Sequence, residues 1–150
     1  MHFQDTVDRR AVALARQWIG TPYRHQASLQ GVGCDCLGLL RGLWRELYGQ
    51  EPQTVPAYSS DWAEVGTRET LLEAAQNWLL PVESREIEPG YIILFRMRRS
   101  AASKHVGLAV SNDRFIHAYE AAGVVETRFD RFWRARIAYC FQFPKQAPQV

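Results

Sequence analysis

Cysteine is scarce in this chain of 150 residues, which contains only three, an odd number. Small secreted proteins that depend on a disulfide scaffold need more cysteines, in pairs, so this class is excluded. The chain also lacks any run of about 18 apolar residues that could span a membrane. Its first residues, MHFQDTVDRR, contain acids and no apolar segment of the kind found in secretory signals. We therefore expect synthesis in the cytoplasm without a signal peptide, and no insertion into a membrane.

An excess of charge of one sign is missing as well. Eighteen Lys and Arg residues face sixteen Asp and Glu residues, which leaves a formal net charge of +2. A nucleic-acid partner is not expected from this balance, because such binding needs a concentrated basic face. Hydrophobic residues make up 47% of the chain, which is enough to bury a core and excludes a disordered chain. We predict a single domain over residues 1–150, in which residues 145–150 fray.

Hydrophobic residues in the first half of the chain recur at helical spacing. Helices are predicted over residues 7–18, 35–48 and 67–79. From Pro89 onward, short β-branched and aromatic runs alternate with turn residues, which is typical of strands. Strands are predicted over residues 91–95, 106–110, 115–119, 124–129 and 136–143. This order predicts an α+β domain, with N-terminal helices packed on one face of a C-terminal antiparallel sheet of about five strands.

Cys36 lies in the first turn of the second predicted helix, on the same stripe as Leu39, Leu40 and Leu43. A thiol there meets free backbone N–H groups and the positive end of the helix dipole, which favour the nucleophilic thiolate. The alternative for an isolated cysteine is a small buried hydrophobe. Cys34 precedes the helix and is expected to point elsewhere.

His105 and His117 fall on two predicted strands that a short turn connects. With residues 111–113 as a three-residue loop, Gly107 faces His117, and both imidazoles lie on one face as diagonal neighbours. A two-residue loop would instead put them on opposite faces. For either histidine alone, a surface position or a satisfied place in the core is the simpler interpretation.

A cysteine at a helix N-terminus facing a histidine, with a second polar group orienting that histidine, is the arrangement that nucleophilic acyl chemistry needs. His105 would take the thiol proton, and His117 would hold the other ring nitrogen of His105 in the right tautomer. A zinc site made from Cys36, His105 and His117 is the competing use of the same side chains, although no fourth ligand is evident.

Short segments form an ordered set along the chain. They are Gly-Thr-Pro-Tyr-Arg at 20–24, Gly-Cys-Asp-Cys-Leu-Gly-Leu-Leu at 33–40, Glu-Pro-Gly-Tyr-Ile-Ile-Leu-Phe at 88–95, Lys-His-Val-Gly at 104–107 and Ile-His-Ala at 116–118. This set resembles the markers of the NlpC-type papain-like cysteine peptidases. Further segments, at 68–75, 133–137 and 141–144, resemble more narrowly the stand-alone members of tailed phages and gene transfer agents.

The resemblance implies a papain-like fold and a role for each matching residue. Cys36 would be the nucleophile, His105 the general base, and His117 the residue that orients His105. Tyr23 matches the tyrosine that lines the cleft beside the nucleophile, and Asp35 matches the acid that meets the free amine of a stem peptide. Taken alone, Tyr23 could be a core residue and Asp35 only a helix cap. No metal and no organic cofactor are implied.

The function implied by the resemblance is hydrolysis of amide bonds in the stem peptides of bacterial peptidoglycan. The bond would be the one between D-γ-glutamyl and a diamino acid, cut through a thioester acyl-enzyme. The phage-type likeness implies a protein that is associated with a tail, has tail proteins as partners and acts at the cell wall.

Departures from the family pattern leave other functions open. Leu37 stands where Ser is common after the nucleophile, residues 24–26 replace the usual Gly-Gly, and Tyr91 stands where Asp is common. One alternative is a tail structural protein or wall-binding adaptor with weak or lost hydrolysis. Another is an amidase or acyltransferase that uses the same thiol.

Two basic stretches have two interpretations. They could attract carboxylates of the cell wall or another tail protein, with Trp133 as an anchor for a partner. The alternative is a set of solvated edge and loop charges that discourage strand pairing. The basic residues are Arg96, Arg98, Arg99 and Lys104 in the first stretch, and Arg128, Arg131, Arg134 and Arg136 in the second.

Overall fold

Residues 6–51, 70–83, 86–99 and 101–146 of the chain are described by a computed structural model. The helices are α1 (Thr6–Trp18), α2 (Cys36–Tyr48), α3 (Thr70–Trp78) and α4 (Arg131–Arg134). The strands are β1 (Ser28–Leu29), β2 (Gly33–Cys34), β3 (Leu80–Pro81), β4 (Ile92–Phe95), β5 (His105–Ala109), β6 (Arg114–Tyr119), β7 (Gly123–Arg128) and β8 (Ile137–Gln142). None of these helices is long and apolar enough to cross a membrane.

The main sheet has six strands in the order β3-β8-β4-β5-β6-β7, and every neighbouring pair is antiparallel. The predicted α+β fold is therefore confirmed. The two-residue strands β1 and β2, which form a separate sheet, were not predicted. In the main sheet, the strand that was not predicted is β3, in which Leu80 pairs with Gln142 and Pro81 with Phe141. It escaped prediction because two residues carry no alternating pattern, and a proline is tolerated in a sheet only at an edge such as this one.

The predicted helices agree with α1, α2 and α3, although residues 67–69 of the third prediction lie outside the described residues. The helix α4 was not predicted, because a single turn is too short for a periodic pattern. Asp130 caps it by accepting a hydrogen bond from the backbone N–H of Trp133 at 3.1 Å. Of the tail predicted to fray, residues 147–150 also lie outside the described residues.

The register of the β5–β6 hairpin is the one expected for a three-residue loop. Leu108 pairs with Ile116 and Ala109 with Phe115. The next hairpin pairs Phe115 with Thr127. Because side chains alternate along a strand, residues 105, 117 and 127 on three neighbouring strands share one face of the sheet.

Apolar side chains cover both faces of the sheet. One face packs against α1, α2 and α3, in a core that includes Trp18, Leu43, Leu94, Leu108 and Ile116. The other face carries an aromatic cluster into which α4 contributes Trp133, beside Phe95, Phe115 and Phe129. The N-terminal helices therefore pack on one face of the sheet as predicted, and α4, which was not predicted, packs on the other face.

Candidate active site

Cys36 is the first residue of α2, and the helix start is held by its neighbour Asp35. Asp35 is in an extended conformation at the N-cap, and its Oδ1 accepts a hydrogen bond from the backbone N–H of Gly38 at 2.7 Å. Such a cap satisfies one of the free donors of the first turn. The thiol of Cys36 is therefore fixed at the position that the sequence predicted for it.

The protonation state of Cys36 differs from the sequence prediction. Burial, together with the nearby carboxylate of Asp35, raises the pKa of the Cys36 thiol to about 12. Backbone N–H groups of Val106, Leu37 and Cys36 itself lower the pKa, as expected at a helix start, but they do not offset burial. The resting thiol is protonated, so a nucleophilic role requires a base that removes its proton.

The two histidines meet as the hairpin register requires. His105 Nε2 lies 2.7 Å from His117 Nδ1, so the rings share a hydrogen bond. Burial lowers the pKa of His105 to about 4, and burial together with His105 lowers the pKa of His117 to about 3. Both imidazoles are therefore neutral near pH 7. Since Nε2 of His105 is engaged by His117, its Nδ1 is the nitrogen left for exchanging a proton with a thiol.

Cys36 and His105 open into the same cavity, which has a volume of about 350 Å³. The cavity also reaches Tyr23 and Asp35, so it brings together four of the five residues that were predicted for the site. The backbone N–H of Val106 lies near enough to the thiol of Cys36 to lower its pKa. Because Val106 directly follows His105, the thiol lies at the start of β5, where the base is held.

His117 is the fifth predicted residue, and it lies behind His105 rather than in the cavity wall. Its side chain is buried, with 1% of its surface exposed. Aromatic rings enclose it, with the centroids of Phe115 and Trp133 at 4.5 Å and 5.0 Å from its own. This arrangement suits a residue that orients His105 and does not touch a substrate.

Tyr23 and Asp35 have surroundings that bear on their predicted roles. Burial raises the pKa of the Tyr23 phenol above its usual range, so the hydroxyl remains a hydrogen-bond donor. The carboxylate of Asp35 accepts backbone N–H groups from Gly38 and from Gln26, each at 2.7 Å, and His25 Nδ1 lies 3.8 Å from it. Asp35 is thus a helix cap and a clamp on the preceding loop. Binding of a substrate amine by Asp35 stays a prediction.

Several residues of the site were not predicted as functional. His25, Tyr119 and Glu120 line the cavity, and Thr127 Oγ1 lies 2.9 Å from His117 Nε2. Thr127 could have been found by extending the hairpin argument one strand further, because the turn after Tyr119 sets the pairing of β6 with β7. The three cavity residues carry no comparable signal in a single sequence.

The zinc alternative finds no support in the described part of the chain. No three His, Cys, Asp or Glu side chains among those residues are arranged to hold a metal ion. The direct contact between His105 and His117 uses the nitrogens that a shared ion would need.

Comparison with known proteins agrees with the sequence resemblance. Residues 20–140 match the model of the NlpC/P60 family. The probable endopeptidase NlpC of Escherichia coli (strain K12) is 27% identical over 127 residues, which cover 81% of this chain and 71% of that protein. The murein DD-endopeptidase MepS/murein LD-carboxypeptidase of the same strain is 27% identical over 120 residues, which cover 79% of this chain and 54% of that protein.

A solved structure shows the same fold. An NlpC/P60 family protein from Bacillus cereus ATCC 10987 aligns with a TM-score of 0.65 at 15% identity, covering 93% of this chain and 41% of that chain. At this identity the likeness concerns the fold alone. The chain spans between 41% and 71% of the length of these three proteins.

Proposed function

The chain belongs to the NlpC/P60 family of cysteine peptidases, and from this premise we propose that it hydrolyses amide bonds in the stem peptides of peptidoglycan. One observation carries the proposal: Cys36 and His105 line one cavity, and His105 is held from behind by His117. The names of the two Escherichia coli relatives, an endopeptidase and a murein endopeptidase, support the same class of substrate.

The cavity has walls that suit a stem peptide, which carries both amines and carboxylates. Arg98 and Lys104 supply positive charge, while Asp35 and Glu120 supply negative charge. Groups of both signs can orient a zwitterionic ligand through complementary contacts. The phenol of Tyr23, which stays protonated, adds a donor beside the nucleophile.

The proposed reaction begins with two neutral partners. His105 Nδ1 takes the proton of Cys36 as the sulfur attacks the scissile carbonyl carbon, and the resulting imidazolium is held through Nε2 by His117. The oxygen of the tetrahedral intermediate accepts a hydrogen bond from the backbone N–H of Cys36, because the first N–H groups of a helix have no partner within the helix.

The second half of the reaction restores the enzyme. His105 returns its proton to the leaving amine as the carbon–nitrogen bond breaks, which leaves a thioester on Cys36. Water then attacks the thioester while His105 accepts a proton from it, and the thiolate leaves and is reprotonated by His105. The products are one amine, one carboxylic acid and the unchanged enzyme.

The bond we propose is the one between D-γ-glutamyl and the diamino acid. The support is the ordered set of sequence segments, in which Asp35 matches the acid that meets the free amine of a stem peptide. The murein relative is named for cleavage between D-amino acids, so identification of the cleaved bond is part of the test.

We also propose that the protein acts at the cell wall as a component of a phage-type tail, with tail proteins as its partners. The support is the narrower resemblance of residues 68–75, 133–137 and 141–144 to stand-alone members of phages and gene transfer agents. A tail would carry the protein to the wall of the next host.

The test is digestion of purified peptidoglycan, with released products identified by mass spectrometry. We expect peptides with a new amino terminus at the diamino acid, and we expect Cys36→Ala to lower their release by roughly 10³-fold or more. Cys140→Ala is the matched control, because Cys140 lies outside the cavity of Cys36.

Other results would point to the alternatives. Binding to walls without release by wild type and by Cys36→Ala alike would favour the adaptor. Products extended by an added amine would indicate acyl transfer, and cleavage at the sugar–peptide amide would indicate an amidase.

A further inference from the structure

Thr127 completes a row of three polar side chains on neighbouring strands. His105 Nε2 lies 2.7 Å from His117 Nδ1, and His117 Nε2 lies 2.9 Å from the hydroxyl of Thr127. The row runs across β5, β6 and β7 on one face of the sheet. Thr127 does not line the cavity, so we expect it to act on the chemistry through the histidines.

We propose that Thr127 is a positioning residue, whose hydroxyl accepts a hydrogen bond from His117 Nε2–H and thereby sets the tautomers of both histidines. With its proton on Nε2, His117 presents the lone pair of Nδ1 to His105. His105 must then carry its own proton on Nε2, which leaves the lone pair of Nδ1 free to take the proton of Cys36. The base is ready only in this arrangement.

The opposite arrangement inactivates the base. If His117 carries its proton on Nδ1, that proton is donated to His105 Nε2, and the proton of His105 moves to Nδ1. A protonated Nδ1 cannot accept a proton from the thiol. The two arrangements make the same contact between the rings, so the contact alone does not choose between them. The group at Nε2 of His117 can favour one of them, because a side chain that accepts a hydrogen bond there stabilises the Nε2–H form, whereas an apolar side chain leaves that N–H without a partner.

Burial is what gives Thr127 this influence. His117 has 1% of its surface exposed, and aromatic rings of Phe115, Tyr119 and Trp133 lie around it. An N–H group in such surroundings is costly to leave without an acceptor. Without the Thr127 hydroxyl, the proton of His117 therefore moves to Nδ1, where it still has His105 as its acceptor.

The imidazolium form of His105 requires the same tautomer of His117. Once His105 has taken the thiol proton, both of its nitrogens carry hydrogen, so Nε2–H can only donate to His117 Nδ1. The proton of His117 must then be on Nε2, where Thr127 accepts it. The hydroxyl thus stabilises the imidazolium as well as the ready form of the base.

The first experiment reads the tautomers directly by nitrogen-15 NMR of the imidazole rings at pH 7, in wild type, Thr127→Val and Thr127→Ser. His117→Gln identifies the resonances of His117. We expect the Nε2–H form of His117 in wild type and in Thr127→Ser, and the Nδ1–H form in Thr127→Val. An unchanged tautomer in a folded Thr127→Val would overturn the proposal. If the valine variant does not fold, loss of the Nε2–H form of His117 in Thr127→Ser would overturn the proposal.

The second experiment measures hydrolysis and rests on the proposed function. Thr127→Val should lower kcat by up to about tenfold with KM unchanged, because Thr127 does not touch the substrate. The acidic side of the pH profile of kcat should move to lower pH in Thr127→Val, because the imidazolium of His105 is stabilised less. Thr127→Ser should restore kcat. Equal loss in both variants with wild-type tautomers would indicate a purely structural role and overturn the proposal. If wild type itself does not hydrolyse peptidoglycan, the proposed function fails while the NMR result still decides on Thr127.

Discussion

The thiol of Cys36 and the imidazole of His105 are both enclosed, and enclosure moves their pKa values in opposite directions. It raises the pKa of the thiol to about 12 and lowers that of His105 to about 4. A thiolate–imidazolium pair at rest would need these two values in the reverse order. The residues therefore favour proton transfer during attack over a preformed ion pair.

Alkylation by iodoacetamide tests this resting state. We expect the rate at Cys36 to rise by about tenfold per pH unit up to at least about pH 9, because only the thiolate reacts and its fraction grows with pH below the raised pKa. The rate is measured by mass spectrometry of the peptide that contains Cys36. Cys36→Ala reports the background from Cys34 and Cys140. A rate that is constant between about pH 5 and pH 8 would instead indicate a preformed ion pair.

At the scale of elements, the start of α2 and the loop before it act as one unit. The backbone N–H of Asp35 donates to Ala27 O at 3.3 Å, and the hydroxyl of Ser28 donates to Gly38 O at 2.5 Å. Gly38 makes this approach possible, because a Cβ there would lie 1.8 Å from Ala27 O. The loop includes Tyr23 and His25, so its packing against α2 determines part of the cavity wall.

Two glycines of α2 provide a matched pair of substitutions. Gly38→Ala should displace the loop and therefore lower kcat/KM. Gly42→Ala should displace the ring of Trp18, which lies 2.2 Å from the new Cβ, and should leave kcat/KM unchanged. Each should cost about 1–3 kcal/mol of stability from overpacking, against about 1 kcal/mol gained in helix propensity. Thermal unfolding and kinetics below the unfolding transition measure both effects. Equal kcat/KM in the two variants would show that the packing of the loop against α2 does not affect catalysis.

The sequence predicted the elements that have a repeating pattern and the site residues that lie on them. Cys36 follows from the stripe of α2, and the meeting of His105 with His117 follows from a three-residue turn. The strand at Leu80 and the single turn at Arg131 have too few residues for any pattern. The raised pKa of Cys36 was missed because burial depends on tertiary packing, which the helix start alone does not reveal.

At the scale of the whole molecule, the basic stretches are in part tied to the fold. Arg96 donates to Ala101 O at 2.6 Å, Arg134 donates to Phe129 O at 2.9 Å, and the guanidinium of Arg136 lies 3.6 Å from the ring centroid of Phe132. These contacts favour the interpretation as loop and edge charges. Arg98 and Lys104 differ, because they line the cavity.

The stability of the whole domain should depend on pH through the pair of His105 and His117. Well above pH 6.5 both imidazoles are neutral in the folded and the unfolded chain, so they add no pH dependence. As pH falls, the unfolded chain gains protons before the folded chain does, because the folded pKa values are about 4 and about 3. The free energy of unfolding should therefore decrease below about pH 6.5, by up to about 1.4 kcal/mol per pH unit for each group.

Urea unfolding between about pH 6.5 and pH 5 measures this slope, in a window above the usual pKa of carboxylates. His117→Phe should make the slope shallower, since it removes one of the two groups. His25→Gln is the control, because the side chain of His25 is 35% exposed. An identical slope in wild type and His117→Phe would contradict the assignment to the histidine pair.

The alignment of His105, His117 and Thr127 depends on the lengths of two turns, residues 111–113 and 120–122. Adding or deleting one residue in either turn would shift the register of one strand by one residue. At least one of these side chains would then lie on the opposite face of the sheet. In these two turns, selection would remove insertions and deletions, even where every individual amino acid could be substituted.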